Sequence, residues 1–273
     1  SVPRGAAPGS DTGVRRARKP CWIHHGESGT VTELDRLKTK KGKRLSVVQS
    51  SYIPWKGYFD LIGLADEFVL FDDAEYSKND WRNRNRIKTP NGTIWLTIPV
   101  KYKGKSHQKI CDTAVCNDRW NEKHWKSIIT NYSKAPFFHD YRECFEDLFM
   151  NCRHERLSDI NRLFIDEICR ILDIRTRITW SMDYELLEGK TERLVDLCRR
   201  TGCVEYLTGP SAKNYIEEAH FTREGIELLY MDYSGYPEYN QLYPPFVHEV
   251  SVLDLIFNTG PQAREYIKFP ERS

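Results

Sequence analysis

Apolar and polar positions follow two different patterns along the chain. Short apolar runs favour buried strands, and they lie at 46–49, 67–71, 177–180, 204–207 and 226–231. A further strand is predicted at 94–100, where apolar and polar side chains alternate after the turn residues Pro90, Asn91 and Gly92. Apolar positions three or four residues apart predict helices instead, the first of them at 58–65.

The middle of the chain carries three successive apolar stripes with helical spacing. They consist of Trp125, Ile128, Ile129 and Tyr132, then Tyr141, Phe145, Leu148 and Phe149, then Leu157, Ile160, Phe164, Ile168 and Ile171. Later helices are predicted from a cap at Thr191 towards Gly202, and from Ser251 to Gly260. Because strands and helices interleave, we predict an α/β fold with a mixed, largely parallel sheet flanked by helices and a helical section near 120–172.

Charge is distributed unevenly along the chain. Residues 1–44 carry 11 Lys/Arg and 4 Asp/Glu, a surplus of +7, whereas the remainder carries 30 and 35, so the whole chain has a net charge of +2. We predict a disordered basic tail over 1–44 and a single α/β domain over 45–268. The tail is interpreted as a linker or an upstream translation start. The alternative is an arm for nucleic acid or an anionic membrane, and nucleic acid is not favoured as a partner.

The composition gives little support to a membrane, disulfide or metal protein. No apolar run approaches the ~20 residues that span a bilayer, and the first residues have no apolar signal-peptide core. The 8 cysteines are scattered, which favours a reduced, cytoplasmic protein. Cys111 and Cys116, like Cys198 and Cys203, are separated by four residues, but the accompanying ligands of a zinc knuckle are missing. We therefore predict neither a metal nor a cofactor.

A polar, aromatic and glycine-bearing loop separates the first predicted strand from the first helix. It contains Gln49, Tyr52 and Gly57, and the next strand ends on Asp72 and Asp73. Such a loop lies at the carboxyl end of its strand, where helix N–H groups are free, so this layout favours a small-molecule site. The two carboxylates reach the same edge if the two strands are parallel. In the structural alternative, the loop residues only shape a turn and pack.

A dense mixture of cations, amides and one indole follows. It consists of Lys78, Trp81, Arg82, Asn83, Arg84, Asn85 and Arg86. Guanidinium groups grip phosphate with two hydrogen bonds, and an indole can stack on a base or a sugar ring. The segment therefore predicts contacts with the diphosphate of a nucleotide-linked substrate, and the alternative is a solvated charged hairpin.

The carboxyl-terminal part offers weaker signals. Gly209 and Ser211 form another strand–loop–helix junction, where Ser211 is interpreted first as a helix cap and second as a ligand contact. The spacing of Ser251 and Asp254 is close to that of a capping box, which favours a structural role. No Ser-His-Asp order, Walker loop, HExxH or GxGxxG motif occurs, so none of these known catalytic or phosphate-binding motifs is supported.

Several blocks resemble the WbqC-like family, in the same order and over about 46–262. They are Gln49-x-x-Tyr52-x-Pro54-x-x-Gly57-Tyr58-Phe59, Asp72-Asp73-x-x-Tyr76-x-Lys78-x-x-Trp81-x-Asn83-Arg84-Asn85, LTIPV from Leu96, NYSKAPFF from Asn131, KTERLVDLC from Lys190, YLTGPSAKNYI from Tyr206 and SVLDLIFNTG from Ser251. Ser50 stands where the family more often has proline, and Ser211-Ala212 where glycines are common. The resemblance implies a cytoplasmic component of an O-antigen (lipopolysaccharide) or other surface-polysaccharide pathway, with transfer of an acyl or amino-acid group to a sugar amine as its proposed role.

The leading hypothesis is an acyl- or aminoacyl-transferase acting on a nucleotide-linked amino sugar. Asp72, Asp73 or His124 would accept the proton of the attacking amine. The predicted substrate-binding residues are Gln49, Tyr52, Gly57, Tyr76, Lys78, Trp81, Arg82, Asn83, Arg84, Asn85, Gly209 and Ser211. One alternative is nucleotidyl transfer, although the histidines of that motif are absent from 54–57. Another is a non-catalytic sugar-nucleotide-binding or scaffold protein of the same pathway.

Overall fold

Seven strands and seven α-helices are found among the residues that the structure describes. The structure is a computed structural model that describes residues 39, 41–102, 104, 107–116 and 119–269. The strands are β1 (Arg44–Val48), β2 (Glu67–Leu70), β3 (Arg84–Thr89), β4 (Gly92–Thr97), β5 (Arg177–Trp180), β6 (Glu205–Thr208) and β7 (Glu227–Tyr230). The helices are α1 (Lys56–Leu64), α2 (Trp120–Tyr132), α3 (Phe138–Met150), α4 (Leu157–Ile171), α5 (Lys190–Thr201), α6 (Glu218–Arg223) and α7 (Val252–Thr259).

Five of the strands form a parallel sheet with β1 at its centre. Their order is β5-β2-β1-β6-β7, and every neighbouring pair is parallel. The chain therefore builds outward from β1 on one side through β2 and β5, then returns to β1 and builds outward on the other side through β6 and β7. The strand order thus reverses between β1 and β6. The predicted α/β class with a largely parallel sheet is confirmed.

Helices cover both faces of this sheet because its strands are apolar on both sides. Along β2, Phe68 and Leu70 join a core cluster that includes residues of α1 to α4 and α7. Val69, which points to the opposite face, joins a second cluster that includes residues of α5 and α6. Strands buried on both faces are typical of parallel sheets, and they explain why the sequence shows continuous apolar runs here.

Strands β3 and β4 form a separate antiparallel hairpin. The chain turns at Pro90 and Asn91, and Arg84 pairs with Thr97 at the other end. The strand predicted at 94–100 therefore belongs to this hairpin and not to the sheet. The β3 side is not solvated, since Asn85, Ile87 and Lys88 are buried. The backbone N–H of Ser251 donates to the carbonyl of Arg86, which ties the hairpin to the start of α7.

The three helices of the predicted helical section, α2 to α4, pack around aromatic side chains. Trp125 stacks between Phe138 and Phe149, with ring centroids 6.0 and 5.7 Å away. Phe149 also contacts Phe164 of α4, at 4.8 Å between centroids. Aromatic pairs at these separations stabilise a core beyond the area that they bury. The apolar stripes read from the sequence are thus the faces that meet here.

Two predicted helix caps were wrong. Thr191 is the second residue of α5, whose cap position is Gly189, and its hydroxyl accepts a hydrogen bond from the backbone N–H of Glu217. Ser211 does not cap the short 3₁₀ turn Pro210–Asn214, because Gly209 takes that position. The boundary drawn after Arg44 falls inside β1, of which Arg44 is the first residue. The remainder of the predicted tail, apart from residues 39 and 41–43, lies outside the described residues.

Within the described ranges, none of the helices combines the length and apolar character needed to cross a bilayer. The cysteines of the same ranges are free thiols. These ranges also contain no group of three or more His, Cys, Asp or Glu side chains placed to hold a metal ion.

Candidate functional site

A cleft of about 430 Å³ opens at the carboxyl end of the sheet. It lies between the loop that follows β1 and the loop that follows β6, so it occupies the position where the strand order reverses. The two loops diverge there because their chains continue to opposite sides of the sheet. In open α/β sheets, ligands bind at this position. We call this cavity the aromatic cleft, for the rings that line it.

Hydrogen bonds from outside the loop hold the β1 loop in place. Nη1 of Arg82 donates to the carbonyl oxygens of Gln49 and Ser50, at 2.9 and 3.2 Å. The hydroxyl of Tyr58 donates to the Gln49 carbonyl at 3.1 Å. Burial raises the pKa of Tyr58 well above its ordinary value, so its hydroxyl stays protonated and remains a donor. These hydrogen bonds therefore fix the backbone of the β1 loop where it lines the aromatic cleft.

Asn85 of β3 stabilises an unusual backbone conformation in the same loop. Ile53 has a φ of 36°, in the left-handed region that a β-branched side chain rarely adopts. Nδ2 of Asn85 donates to the carbonyls of Tyr52 and Ile53, at 3.2 and 2.9 Å. Such conformations cost roughly 1–3 kcal/mol each and concentrate at functional sites. The loop thus adopts a strained path that the β3 amide fixes.

Aromatic rings form much of the wall of the cleft. They belong to Trp55, Tyr58, Trp81, Tyr215 and Tyr233. The rings of Trp55 and Tyr233 meet edge to face, 5.1 Å apart. Trp81 and Tyr215 remain 39% and 54% exposed, so large apolar surfaces face an open cavity. Aromatic faces of this kind stack on sugar rings or on bases.

Gly57 allows one of these rings to approach helix α1 closely. A Cβ atom built on Gly57 would lie 2.4 Å from Cζ2 of Trp55 and within 2.8 Å of two further indole carbons. The absence of a side chain at the second residue of α1 therefore determines where the indole can lie. Gly57 is buried and acts through Trp55, whose ring lines the cleft.

A few polar groups of the cleft are available to a ligand. Among the described residues, none bonds the side-chain amide of Gln49 or the hydroxyl of Ser211. Within the described part of the chain, Glu249 is the one carboxylate of the lining, and it faces Arg86 with 3.7 Å between Oε2 and Nη2. The same part contributes no histidine, lysine or cysteine to the lining. The arrangement can bind a ring and orient its hydroxyl, carbonyl or amine groups.

The structure brings together six of the residues predicted from the sequence. Gln49, Trp81, Arg82, Asn85, Gly209 and Ser211 line the aromatic cleft. They come from three segments that are far apart in the chain. Their roles in binding stay predictions, and for Arg82 and Asn85 the hydrogen bonds above indicate that they shape the loop.

The two predicted carboxylates have different surroundings, and neither lines the aromatic cleft. Asp72 is completely buried, and its two oxygens accept hydrogen bonds from the backbone N–H of Ser50 and the hydroxyl of Ser158. Burial raises its pKa, although these bonds oppose the effect. Asp73 accepts from the hydroxyl of Ser181 at 2.6 Å and pairs with Arg193. Asp72 therefore holds α4 and the β1 loop together.

His124 and Tyr52 form a buried pair away from the aromatic cleft. The hydroxyl of Tyr52 lies 2.9 Å from Nδ1 of His124, and the rings of Trp120 and Phe164 surround Tyr52. Burial raises the pKa of Tyr52 well above its ordinary value. The pair joins the β1 loop to α2. His124 does not line the aromatic cleft, so its position does not support the predicted role as proton acceptor.

The other predicted residues lie around the hairpin. Nδ2 of Asn83 donates to the carbonyl of Ile98 at 2.8 Å. The ammonium of Lys78 lies over the ring of Tyr102, and the guanidinium of Arg84 lies over that of Trp95, at 5.1 and 4.2 Å from the ring centres. Tyr76 is half-buried and contacts Tyr102 as well, with 6.5 Å between centroids. None of these four residues lines the aromatic cleft.

Sequence reasoning missed several lining residues, above all Glu249, Tyr233 and Trp55. Trp55 follows Pro54 within the loop already singled out, so its position was a usable signal. Glu249 and Tyr233 belong to the long segment between β7 and α7, where no periodic pattern occurs. Their proximity to the β1 loop depends on contacts such as the bond from the N–H of Val252 to the carbonyl of Pro54, at 2.9 Å.

Comparisons with known proteins agree with the resemblance noted in the sequence. The WbqC-like protein family matches residues 49–266. The chain is also 45% identical over 227 residues to the uncharacterized protein Rv1507c of Mycobacterium tuberculosis, which covers 83% of this chain and 98% of that protein. No solved structure matches the chain. Since the family match spans the β1 loop, the hairpin and the β6 loop that surround the cleft, the chain belongs to the WbqC-like protein family.

Proposed function

We propose that the aromatic cleft binds a nucleotide-linked amino sugar. On this proposal the protein transfers an acyl or aminoacyl group to the sugar amine, in the synthesis of O-antigen or another surface polysaccharide. The observation that carries the proposal is the position of the cleft at the reversal between β1 and β6, with aromatic walls and unpaired polar groups. A cleft of about 430 Å³ is within the size range of small-ligand sites.

The chemistry of the lining suits a sugar with an amine. The faces of Trp81 and Tyr215 offer stacking surfaces for a pyranose ring, and Gln49 and Ser211 offer donors and acceptors for its hydroxyls. Glu249 is placed to attract the ammonium form of the amine. Its side chain is 69% exposed, so a ligand can reach this carboxylate.

Transfer requires the amine to be deprotonated before it attacks. Its nitrogen lone pair would form the new bond to the carbonyl carbon of a thioester donor, and the carbon–sulfur bond would break to release a thiolate. Glu249 would take the proton that the ammonium form loses before attack, and the departing thiolate would take the second proton, which leaves the nitrogen as the amide forms. The side-chain N–H of Gln49 would stabilise the charge that develops on the carbonyl oxygen. This assigns to Glu249 the role that the sequence suggested for Asp72, Asp73 or His124.

The test is incubation of the protein with a nucleotide-linked amino sugar and a panel of acyl and aminoacyl thioesters, followed by mass measurement of the amide product. Glu249→Gln should lower the rate at least about 100-fold, in line with the contribution of a general base. Glu265→Gln removes a carboxylate at an exposed position outside the cleft and should leave the rate unchanged. Absence of product over a broad donor panel would contradict the proposal.

A non-catalytic sugar-nucleotide-binding protein is the second candidate. It is favoured by the scarcity of acid–base groups in the cleft, whose lining has one carboxylate and no histidine. This candidate predicts saturable binding without turnover, and Glu249→Gln would then leave polysaccharide output intact. Nucleotidyl transfer has less support, since its histidines are absent from the β1 loop; it would be recognised by release of pyrophosphate from a nucleoside triphosphate.

A further inference from the structure

Two further cavities lie beside the aromatic cleft along the carboxyl edge of the sheet. A cavity of about 260 Å³ shares Val47, Gln49 and Tyr215 with the cleft. A third, of about 620 Å³, shares Gly189, Lys190 and Arg193 with the second. We call the second cavity the basic chamber and the third the outer chamber. Because neighbouring cavities share lining residues, the three adjoin one another along this edge, and we call the row that they form the groove.

This groove crosses four strands. It passes Gly209 after β6, Gln49 after β1, Phe71 after β2 and Ser181 after β5. Since neighbouring strands lie ≈ 4.8 Å apart, its length across the sheet is about 14 Å. That length exceeds one sugar ring and suits a ligand made of several linked units.

Charge distinguishes the basic chamber from its neighbours. Lys190 and Arg193 line it, and none of the described residues contributes a carboxylate to this lining. Arg193 is fixed by its ion pair with Asp73 and by the ring of Phe71, which lies 4.7 Å from its guanidinium carbon. Lys190 is exposed, and among the described residues its ammonium has no ion-pair partner. One cation is therefore held in place and the other is available to an anion.

The hairpin cations are less suited to hold the anionic part of the ligand. Nη1 of Arg82 already donates hydrogen bonds to the carbonyls of Gln49 and Ser50. Lys78 and Arg84 lie over the rings of Tyr102 and Trp95, and neither lines any part of the groove. The sequence predicted that these residues bind the diphosphate. The basic chamber is a better location for it, because the ammonium of Lys190 is available there.

The outer chamber has an apolar and aromatic side. Met182, Tyr184, Leu186 and Leu187 line it, together with the charged residues Asp73, Lys109 and Glu188. Met182 and Leu187 are 45% and 54% exposed, so they present uncovered apolar surface. A surface of this kind can cover one face of a flat aromatic base.

We propose that the groove binds a sugar nucleotide in extended form, with each of its units in a different cavity. The sugar lies in the aromatic cleft, the diphosphate in the basic chamber against Lys190 and Arg193, and the nucleoside in the outer chamber. Gln49 and Tyr215 border both the cleft and the basic chamber, so they flank the bond between the sugar and the diphosphate. This inference rests on the proposed function and adds to it the location of the phosphates and the direction of the ligand.

The test measures binding by calorimetry with UDP, dTDP and GDP, each alone and each linked to an amino sugar, and with the corresponding nucleosides. Lys190→Ala should weaken binding of the diphosphates about tenfold or more, because a charge-assisted contact is lost. Binding of the nucleosides, which carry no phosphate, should weaken much less, although Lys190 also borders the outer chamber. Lys190→Arg should restore most of the affinity. Lys126→Ala removes an exposed lysine of α2 that is not part of the groove lining, and it serves as the matched control.

The outcomes separate this inference from the proposed function. If the wild-type protein binds the sugar nucleotides and Lys190→Ala binds them equally well, the diphosphate lies elsewhere and only the inference fails. If a matching loss appears in Lys78→Ala instead, the hairpin holds the phosphates and the inference is again overturned. If the wild-type protein binds none of these probes at millimolar concentration, the proposed function fails together with it.

Discussion

Asn85 is the residue on which the shape of the aromatic cleft depends most. One side-chain amide satisfies two carbonyls of the β1 loop and holds Ile53 at a positive φ. Asn83, two residues earlier, makes the same kind of bond to Ile98, which lies outside the cleft. The hairpin thus contains two buried amides with like chemistry, and only one of them supports the β1 loop.

We predict that Asn85→Ala and Asn83→Ala have similar effects on stability and different effects on binding. Each leaves buried carbonyl groups without a donor, which costs about 1–3 kcal/mol of unfolding free energy. Asn85→Ala should also weaken sugar-nucleotide binding about tenfold or more, because the β1 loop loses its support, whereas Asn83→Ala should not. Urea unfolding and calorimetric titration measure the two quantities. Equal loss of affinity in both variants would show that binding follows overall stability.

Asp60 gives the fold a specific pH dependence. Burial raises its pKa to about 6, although Tyr236 and the N–H groups of Lys268 and Phe269 donate to it. A free Asp titrates near 3.9, so between about pH 4 and 6 the folded state binds a proton that the unfolded state does not. The contribution of Asp60 to stability is therefore largest at low pH and is lost as the pH rises through 6.

The corresponding measurement compares wild type with Asp60→Asn. We expect the unfolding free energy of wild type, relative to the variant, to be about 2 kcal/mol higher at pH 4 than at pH 7.5, because folded Asp60 is protonated at the lower pH and ionised at the higher one. Urea titrations at the two pH values provide the numbers. A difference that stays constant, or that grows towards pH 7.5, would contradict the raised pKa.

Helix α1 shows at the element scale how one glycine connects packing with the site. Its two glycines both face aromatic rings, since a Cβ on Gly57 would meet Trp55 and a Cβ on Gly63 would meet Phe269, each at 2.4 Å. The ring at Gly57 lines the aromatic cleft, and the ring at Gly63 belongs to the end of the described chain. The same helix therefore supplies both a test position and its control.

We predict that Gly57→Ala and Gly63→Ala each destabilise the protein by about 1–3 kcal/mol, through overpacking against an aromatic ring. Gly57→Ala should in addition displace the Trp55 indole and reduce affinity for the sugar nucleotide, while Gly63→Ala should leave affinity unchanged. Thermal unfolding combined with titration of each variant measures both effects. Unaltered binding by a folded Gly57→Ala protein would exclude Trp55 from ligand contact.

Most elements could be predicted from the sequence because their signals are local. For β2, for β5 and for the three helices α2 to α4, the apolar residues of the segment itself show which side is buried. The partners of polar side chains could not be predicted in the same way. The carboxylate of Asp72 accepts hydrogen bonds from Ser50 and from Ser158, and Ser158 is 86 residues away in the chain. The guanidinium of Arg82 donates to carbonyls that lie 32 and 33 residues earlier. Such pairings follow from the tertiary fold alone.

At the scale of the whole molecule, the two ends of the sheet differ in what they contain. The amino end of β1 and β6 carries a buried ion pair between Nε of Arg44 and Oε2 of Glu205, at 2.9 Å, with side chains 1% and 2% exposed. These two residues are also register partners across the central strands. The carboxyl end of the same strands carries the aromatic cleft. The buried ion pair and the proposed ligand site thus lie at opposite ends of the same strands.

This separation gives a prediction for the ion pair. Arg44→Met should cost about 3–5 kcal/mol, since it leaves the Glu205 carboxylate buried without its cation, and the double change Arg44→Met with Glu205→Met should cost less. Guanidinium chloride unfolding of the single and double variants gives both values. Folded Arg44→Met protein should still bind the sugar nucleotide with wild-type affinity, and a large loss of affinity would show that the two ends are coupled.

The reversal of strand order between β1 and β6 is the feature from which the functional proposal starts, and it could not be read from the chain because strand order depends on long-range pairing. Its most direct test is a crystal structure of the protein grown with a saturating nucleotide-linked amino sugar. We predict that the sugar ring lies between the Gln49 loop and the Gly209 loop, against Trp81 and Tyr215. A ligand bound at any other surface, with the cleft filled only by solvent, would contradict the account.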